Sequence, residues 1–290
     1  MNTSNKLDEL LRAMPAIPAV CARILGKIQD PNIDFQTMSE LIQYDPGITA
    51  NLLRLVNSAY FGLEEPVSSL KEACRFAGTK KIMQLALAQS VAGVLNRPLA
   101  GYGLAPREFL QHAAWVAVAS EEFCIALRLR VPDTIFTAGL LHDVGKIVLN
   151  DLASAEKQAI ERMIEEQGFS HVQAERVVMD TDHAEAGARL IALWNLPQPL
   201  VEAARWHHEP ERATLHGDIV NIVHLANVLS TTLGIGAGNA EIACHPLQRM
   251  LDTMKLTPTI VESVASRTLE KMQALENMLA GASGGMMAGG

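Results

Sequence analysis

Residues Phe136-Thr137-Ala138-Gly139-Leu140-Leu141 form an apolar run that ends on His142-Asp143 and continues into Val144-Gly145-Lys146. This stretch constrains the fold most, because it sets an imidazole and a carboxylate side by side where burial is costly unless something binds them. A metal ion is one such partner. His142 offers a nitrogen, Asp143 can bridge two cations through its two oxygens, and Lys146, three residues on, can meet an anionic substrate oxygen. An ordinary helix end, with its polar groups satisfied by hydrogen bonds, is the alternative, and the dipeptide alone does not decide between them.

The remainder of the chain reads as helix. Of its 290 residues 49% are apolar and only 4% aromatic, Ala and Leu recur throughout, and no stretch alternates for long like a half-buried strand. The expectation is an all-α fold with a core large enough for one large domain or two intimately packed ones. Asp34 precedes Phe35, Met38, Leu41 and Ile42 at helical spacing, and Asp45-Pro46 supplies a cap and a first-turn proline before Ile48, Leu52, Leu55 and Val56. Gly78-Thr79 ends one helix and starts another through Ile82, Leu85 and Val91. Residues 96–105, rich in Gly and Pro, read as a boundary loop between a helical segment 1–98 and a second segment 99–275. The first segment holds no cluster of acids, histidines or glycine loops and reads as a packing or docking module.

In the second segment Pro106 opens a long helix that contains Glu108, His112, Trp115 and Val118. A helix beginning after Val131-Pro132 carries the opening stretch and is expected to end near Gly145. Another spans about Ala155 to Gln167 with Gly168 as its stop, and Ser170 with Gln173 fits a capping box for the next. Thr181-Asp182-His183 begins a helix with His183 in its first turn, and the helix from Val201 to Trp206 finishes at His207-His208-Glu209-Pro210. Ile219 to Leu233 is strongly apolar with Asn227 inside it, Thr257-Pro258 starts the last long helix, and the Gly-rich residues 276–290 are expected to be a disordered tail.

A net charge of −8 and a pI near 5.6 argue against nucleic acid or an anionic membrane surface as partner. With no signal-like start and no apolar run of bilayer length, a cytoplasmic location is expected. Cys21, Cys74, Cys124 and Cys244 are far apart, without a CxxC pair, and read as reduced core residues.

Nine histidines are present, and His112, His142, His183, His207 and His208 fall at helix ends or beginnings. Each alone reads as a packed or surface residue. Together with Asp143 they are the donor set that divalent iron, manganese or zinc accepts, and helices can carry such donors to one point.

The order and spacing of His112, His142-Asp143, His183 and His207-His208 resemble the ligands of the HD superfamily of metal-dependent phosphohydrolases, especially its binuclear HD-GYP branch. Further stretches look like the HDOD family, the HD-related output domains of bacterial signalling. They are Pro15-Ala16-Ile17-Pro18, Asp45-Pro46-Gly47-Ile48-Thr49, Val56-Asn57-Ser58-Ala59-Tyr60-Phe61-Gly62, Leu140 to Lys146, Trp206-His207-His208-Glu209-Pro210 and Val223-His224-Leu225-Ala226. The resemblance covers Leu7 to Leu233 and implies an N-terminal helical subdomain packed on an HD-type helical bundle.

Carried over by position, it implies one metal site of His112, His142, Asp143 and Asn227, and a second of Asp143, His183, His207 and His208 that shares Asp143. Lys146 stands where the HD-GYP branch has a phosphate-contacting lysine, so Asp143 and Lys146 are the catalytic candidates. Glu108 stands where a few members recruit an extra carboxylate, although a solvated helix-start glutamate is the expectation here. Two departures matter. Asn227 replaces the usual last Asp and contributes no charge, which weakens the first site most. No Gly-Tyr-Pro follows His208-Glu209, so the signature for cyclic-di-GMP hydrolysis is missing. The resemblance thus implies a signalling protein that acts through a protein partner and keeps a binuclear-type site. The alternative is an active phosphohydrolase on a nucleotide or other phosphoester. One or two divalent ions are implied, with iron or manganese favoured over zinc because thiolate donors are absent.

Overall fold

The protein is described from a computed structural model covering residues 3–14, 16–17, 19–27, 34–42, 46–58, 61–63, 65–236 and 256–283. The motif residues Pro15, Pro18, Asp45, Ala59 and Tyr60, together with Cys244 and residues 284–290 of the tail, lie outside the described residues. As composition and spacing predict, every regular element among the described residues is helical, apart from an isolated bridge between Leu99 and Leu104.

Among the described residues six helices precede residue 96: α1 (Thr3–Ala13), α2 (Ala19–Leu25), α3 (Phe35–Ile42), α4 (Pro46–Val56), α5 (Leu70–Ala77) and α6 (Thr79–Leu95). Then come α7 (Glu108–Ala126), α8 (Ile135–Leu141), α9 (Gly145–Ala155), α10 (Lys157–Gln167) and α11 (His171–Met179). The last described are α12 (His183–Leu193), α13 (Gln198–Trp206), α14 (Gly217–Thr232) and α15 (Pro258–Ser283). The long helices α6 and α7 are buried on nearly every side, as segments without a polar face must be. α7 is the axis of the molecule, with α8, α14 and α15 against it. α15 also packs on α4 and α6, so the early helices and the later bundle share one covering helix. Lys271 of α15 reaches the buried Glu122 of α7 at 2.5 Å, while Lys81 of α6 meets Glu121 at 2.5 Å.

Two close crossings set the later bundle. Gly139 of α8 lies on Ala117 of α7, where a Cβ at position 139 would come within 2.7 Å of the Ala117 Cα. The antiparallel pair therefore brings His112, one turn and a half before the crossing, opposite His142 just beyond it. At the second crossing Gly145 of α9 meets Gly187 of α12, and a Cβ on Gly145 would overlap the His183 carbonyl oxygen and the Gly187 nitrogen.

The helix expected to end near Gly145 in fact stops at Leu141, and a new helix, not anticipated from the sequence, starts at Gly145. Residues 142–144 form a tight turn closed by Val144 N–H to Leu141 O at 3.1 Å and Lys146 N–H to Asp143 O at 2.9 Å. The turn redirects the chain so that α9 can cross α12 at its glycine, which continuation of α8 would prevent. The 96–105 loop is also more than a connector. It contains a 3-10 turn, Ala100–Tyr102, that packs on α9, and Leu99, Gly101, Tyr102 and Leu104 are buried. The capping box of Ser170 and Gln173 forms as expected. The final helix runs to Ser283, eight residues into the stretch expected to be tail.

Gly145→Ala is expected to lower the unfolding free energy by about 3 kcal/mol or to prevent folding, because backbone atoms of α12 cannot yield as a side chain would. Gly217→Ala, where an added Cβ meets nothing within 4 Å, should stay within about 0.5 kcal/mol of the wild type. Urea unfolding monitored by circular dichroism compares the two, and equal midpoints would show that the crossing tolerates a side chain.

Candidate metal centre

Five imidazoles and one carboxylate converge inside the bundle, each delivered by a helix end. His112 comes from the first third of α7, His142 and Asp143 from the turn after α8, His183 from the first residue of α12, and His207 and His208 from the end of α13. The N-cap Asp182 accepts the Glu185 N–H at 2.7 Å, which sets the start of α12 and hence His183. Arg176 clamps the rear of the site. Its guanidinium forks onto Glu209 at 2.9 and 2.8 Å and also binds Asp182, tying the start of α12 to the residue after His208.

Four of the rings are held by their outer nitrogen. The Nδ1–H of His142 donates to the Gly139 carbonyl at 2.7 Å, and that of His207 to the Ala204 carbonyl at 2.8 Å. His112 Nδ1 lies 3.0 Å from Ser230 Oγ and 3.1 Å from the Ile235 carbonyl, and His183 Nδ1 lies 2.7 Å from Glu175 Oε2. Because a carbonyl can only accept, these contacts put the proton of each neutral ring on Nδ1 and leave the Nε2 lone pair facing inward.

Four of the Nε2 atoms meet at Asp143. His112 and His142 approach Oδ2 at 3.4 Å each, and His183 and His207 approach Oδ1 at 3.4 and 3.3 Å. His208 Nε2 lies 3.0 Å from His183 Nε2, and His112 Nε2 lies 3.3 Å from His142 Nε2. Two donors each about 2.1 Å from one ion, at tetrahedral or octahedral angles, stand roughly 3.0–3.4 Å apart, which is the spacing seen here. The donor atoms form two groups, Asp143, His183, His207 and His208, and His112, His142 and Asp143, each with its members within 4.8 Å of one another. Lone pairs facing carboxylate oxygens at this range repel unless a cation lies between them, so the donor set fits a metal ion. Asp143 is 1% exposed and neither of its oxygens accepts a hydrogen bond among the described residues. Its ionic contact is Lys146 Nζ, 2.7 Å from Oδ2.

Burial would raise the Asp143 carboxyl, but the Lys146 ammonium and the His142 ring hold it well below the usual range, so it is ionised. Burial pushes His142 down to about 3 against the pull of Asp143, which keeps its ring neutral and able to donate a lone pair. His183 behaves oppositely. Burial alone would lower it, yet the buried Glu175 carboxylate lifts it to about 9, so without an ion it carries a proton that a cation would displace.

Each candidate metal or catalytic residue has a defined place. His112, His142, Asp143, His183, His207 and His208 come together, and Lys146 joins them. Asn227 is buried on α14, one turn before the Ser230 that meets His112, and its Oδ1 accepts no hydrogen bond among the described residues. Glu108 is exposed and accepts the Ala105 N–H at 2.6 Å, a helix-start role. Cys21, Cys74 and Cys124 are buried free thiols. Sequence reasoning missed the outer layer of Glu175, His171, Tyr102, Ser230 and Arg176. For Glu175 a signal existed, since it falls between Val172 and Met179 at helical spacing on the buried face of α11, where an acid needs a partner. His171, one turn earlier, lies 3.4 Å from the other Glu175 oxygen and stacks on Tyr102 with centroids 5.4 Å apart.

An all-helical fold enclosing a His/Asp cluster that suggests a metal ion defines the class of protein. The chain belongs to the HDOD domain family, whose pattern matches residues 14–210. An uncharacterized protein of Treponema pallidum (strain Nichols) is 26% identical over 235 residues, covering 78% of this chain and 43% of that protein, so the chain spans less than half the length of its relative. The crystal structure of an HDOD domain protein of unknown function from Geobacter sulfurreducens has a TM-score of 0.76 at 23% identity, covering 96% of this chain and 99% of that one. A protein provisionally described as a phosphohydrolase, from Shewanella amazonensis SB2B, has a TM-score of 0.73 at 21% identity over 96% and 97% of the two chains. At these identities the likeness establishes the fold. Among the described residues no helix is long and apolar enough to cross a membrane.

In metal-stripped protein the raised His183 value makes stability fall with alkali. The pairing with Glu175 contributes in full below the ordinary value of 6.5 and is lost as pH rises to about 9, a loss of roughly 3 kcal/mol. Urea midpoints measured from pH 6 to 9.5 should decline over that window, and Glu175→Gln should flatten the decline. A wild-type profile as flat as that of the variant would refute the pairing.

Proposed function

We propose that this chain is an HDOD-type regulatory protein of signal transduction that retains a binuclear-type metal site and acts through a protein partner instead of turning over a substrate. One half of the site would be His112, His142, Asp143 and Asn227, the other Asp143, His183, His207 and His208, holding one or two divalent ions, iron or manganese before zinc. The observation that carries the reading is closure. His112, His142, Asp143, His183 and His207 are each at most 1% exposed, and only His208 is partly accessible. Such donors are well arranged to tie helices together and poorly arranged to admit a phosphoester.

Bound there, a divalent ion would supply Lewis acidity and a link among five helices. The chain's own residues do the rest. The Nδ1 contacts aim the rings, Asp143 supplies the buried negative charge, and the α7–α8 and α9–α12 crossings fix the distances between donors. An ion bound only by the assembled donors favours that packing over any other, and a partner that reads the packing would read the metal.

A hydrolytic reading has one observation in its favour, the Lys146 ammonium beside Asp143 in a fold shared with proteins provisionally described as phosphohydrolases. Asp143 and Lys146 would then be its catalytic residues, acting on a nucleotide or other phosphoester. Against it stand the neutral Asn227 and the closed donor set.

Protein purified without an affinity tag is expected to contain iron or manganese by elemental analysis. His183→Ala and His207→Ala should lose it, and chelation should lower stability by about 2.7 kcal/mol relative to protein at a hundredfold excess of metal over Kd. A phosphoester panel supplied with Fe, Mn, Mg and Zn should show no turnover. Turnover that Asp143→Asn abolishes in a protein still folded by circular dichroism would overturn the regulatory reading in favour of the hydrolase.

A further inference from the structure

We infer that the centre holds a single divalent ion, between Asp143 Oδ1 and the histidines His183, His207 and His208, and that Lys146 is the built-in cation of the other half. The inference rests on the metal-binding reading above and specifies which half of the donor set is used.

The two oxygens of Asp143 have different company. Oδ2, which His112 and His142 face, is already in contact with the Lys146 ammonium at 2.7 Å. Oδ1, which the His183 and His207 rings face, has no lysine or arginine against it among the described residues. Lys146 is not a mobile surface side chain. It is 5% exposed in the first turn of α9, with Nζ 5.7 Å from the ring centroid of Tyr102, and the 3-10 turn bearing Tyr102 is packed on the same helix at Gly101.

The outer contacts are equally unequal. On one half His183 is backed by a carboxylate, Glu175, which makes an imidazole a stronger donor to a cation, while His207 beside it is backed by a backbone carbonyl; on the other half His112 and His142 are backed, among the described residues, by Ser230 and backbone carbonyls. Asn227 adds an oxygen but no charge to their side. Two carboxylates, Asp143 and Glu175, and one ammonium leave this core with one net negative charge while the rings are neutral. One divalent ion turns that to one net positive charge, and a second would make it three in a buried space. Lys146 does for the Oδ2 half what a second ion does in a binuclear centre, and does so without leaving.

The test uses the full chain, stripped of metal, reloaded with excess Mn(II), desalted and assayed for manganese per chain. The wild type should hold one ion, His183→Ala less than a tenth of that, and His112→Ala one. Lys146→Met, which keeps the stem and removes the charge, should rise to two. Asn227→Asp, which restores a negative charge on the same half, should also take up a second ion and serves if the lysine variant does not fold. Two ions in the wild type, loss of the ion from His112→Ala as complete as from His183→Ala, or both charge variants remaining at one would overturn this assignment while leaving the metal-binding reading intact. A folded wild type that binds no manganese, iron or zinc would overturn both.

Discussion

The interior of this protein is organised by the crowding of acceptors around Asp143. A carboxylate sits at 1% exposure with the Lys146 ammonium 2.7 Å from one oxygen and four imidazole nitrogens at 3.3–3.4 Å from the two. Apolar packing cannot make such a cluster favourable, and hydrogen bonding does not satisfy it, because lone pairs face lone pairs. Positive charge does. The chain supplies part of it, through the Lys146 ammonium and the proton on His183, and the donor spacing is suited to an ion for the rest.

The helices are packed as closely as they are to serve that cluster. Gly139 against Ala117 and Gly145 against Gly187 let backbones touch where any side chain would hold them apart, and the residues next to those contacts are His142, Asp143 and His183. A second layer keeps the rings from turning: carbonyls behind His142 and His207, Ser230 and the Ile235 carbonyl behind His112, and Glu175 behind His183. Beyond it Arg176 holds Glu209 and Asp182, so the ends of two helices that carry histidines cannot drift separately. Geometry at the centre is thus maintained from two shells out, which is how donors carried by four helices keep one arrangement.

Much of this could be read in advance because it is local. The apolar run before His142 had to be interior, the capping box of Ser170 and Gln173 marked α11, and the histidines at helix ends stood out because imidazoles recurred where the helical pattern broke. What could not be read depended on approach between distant segments. The stop at Leu141 and the restart at Gly145 come from the crossing with α12, forty residues away in the chain, and the burial of the 96–105 loop comes from its packing on α9. Glu175 is the intermediate case, an acid on an apolar face whose need for a partner was visible although the partner, His183, was not.

The amino-acid sequence by itself determined that the chain is helical, which residue types could donate to a metal, and that Asn227 withholds a charge from one side, since these follow from spacing and side-chain chemistry alone. Only the tertiary structure decided which nitrogen of each ring faces inward, which Asp143 oxygen meets Lys146, and that Glu175 stands behind His183. Those depend on distances of a few ångströms between segments as much as 123 residues apart, and no pattern along the chain encodes the angle at which two helices cross.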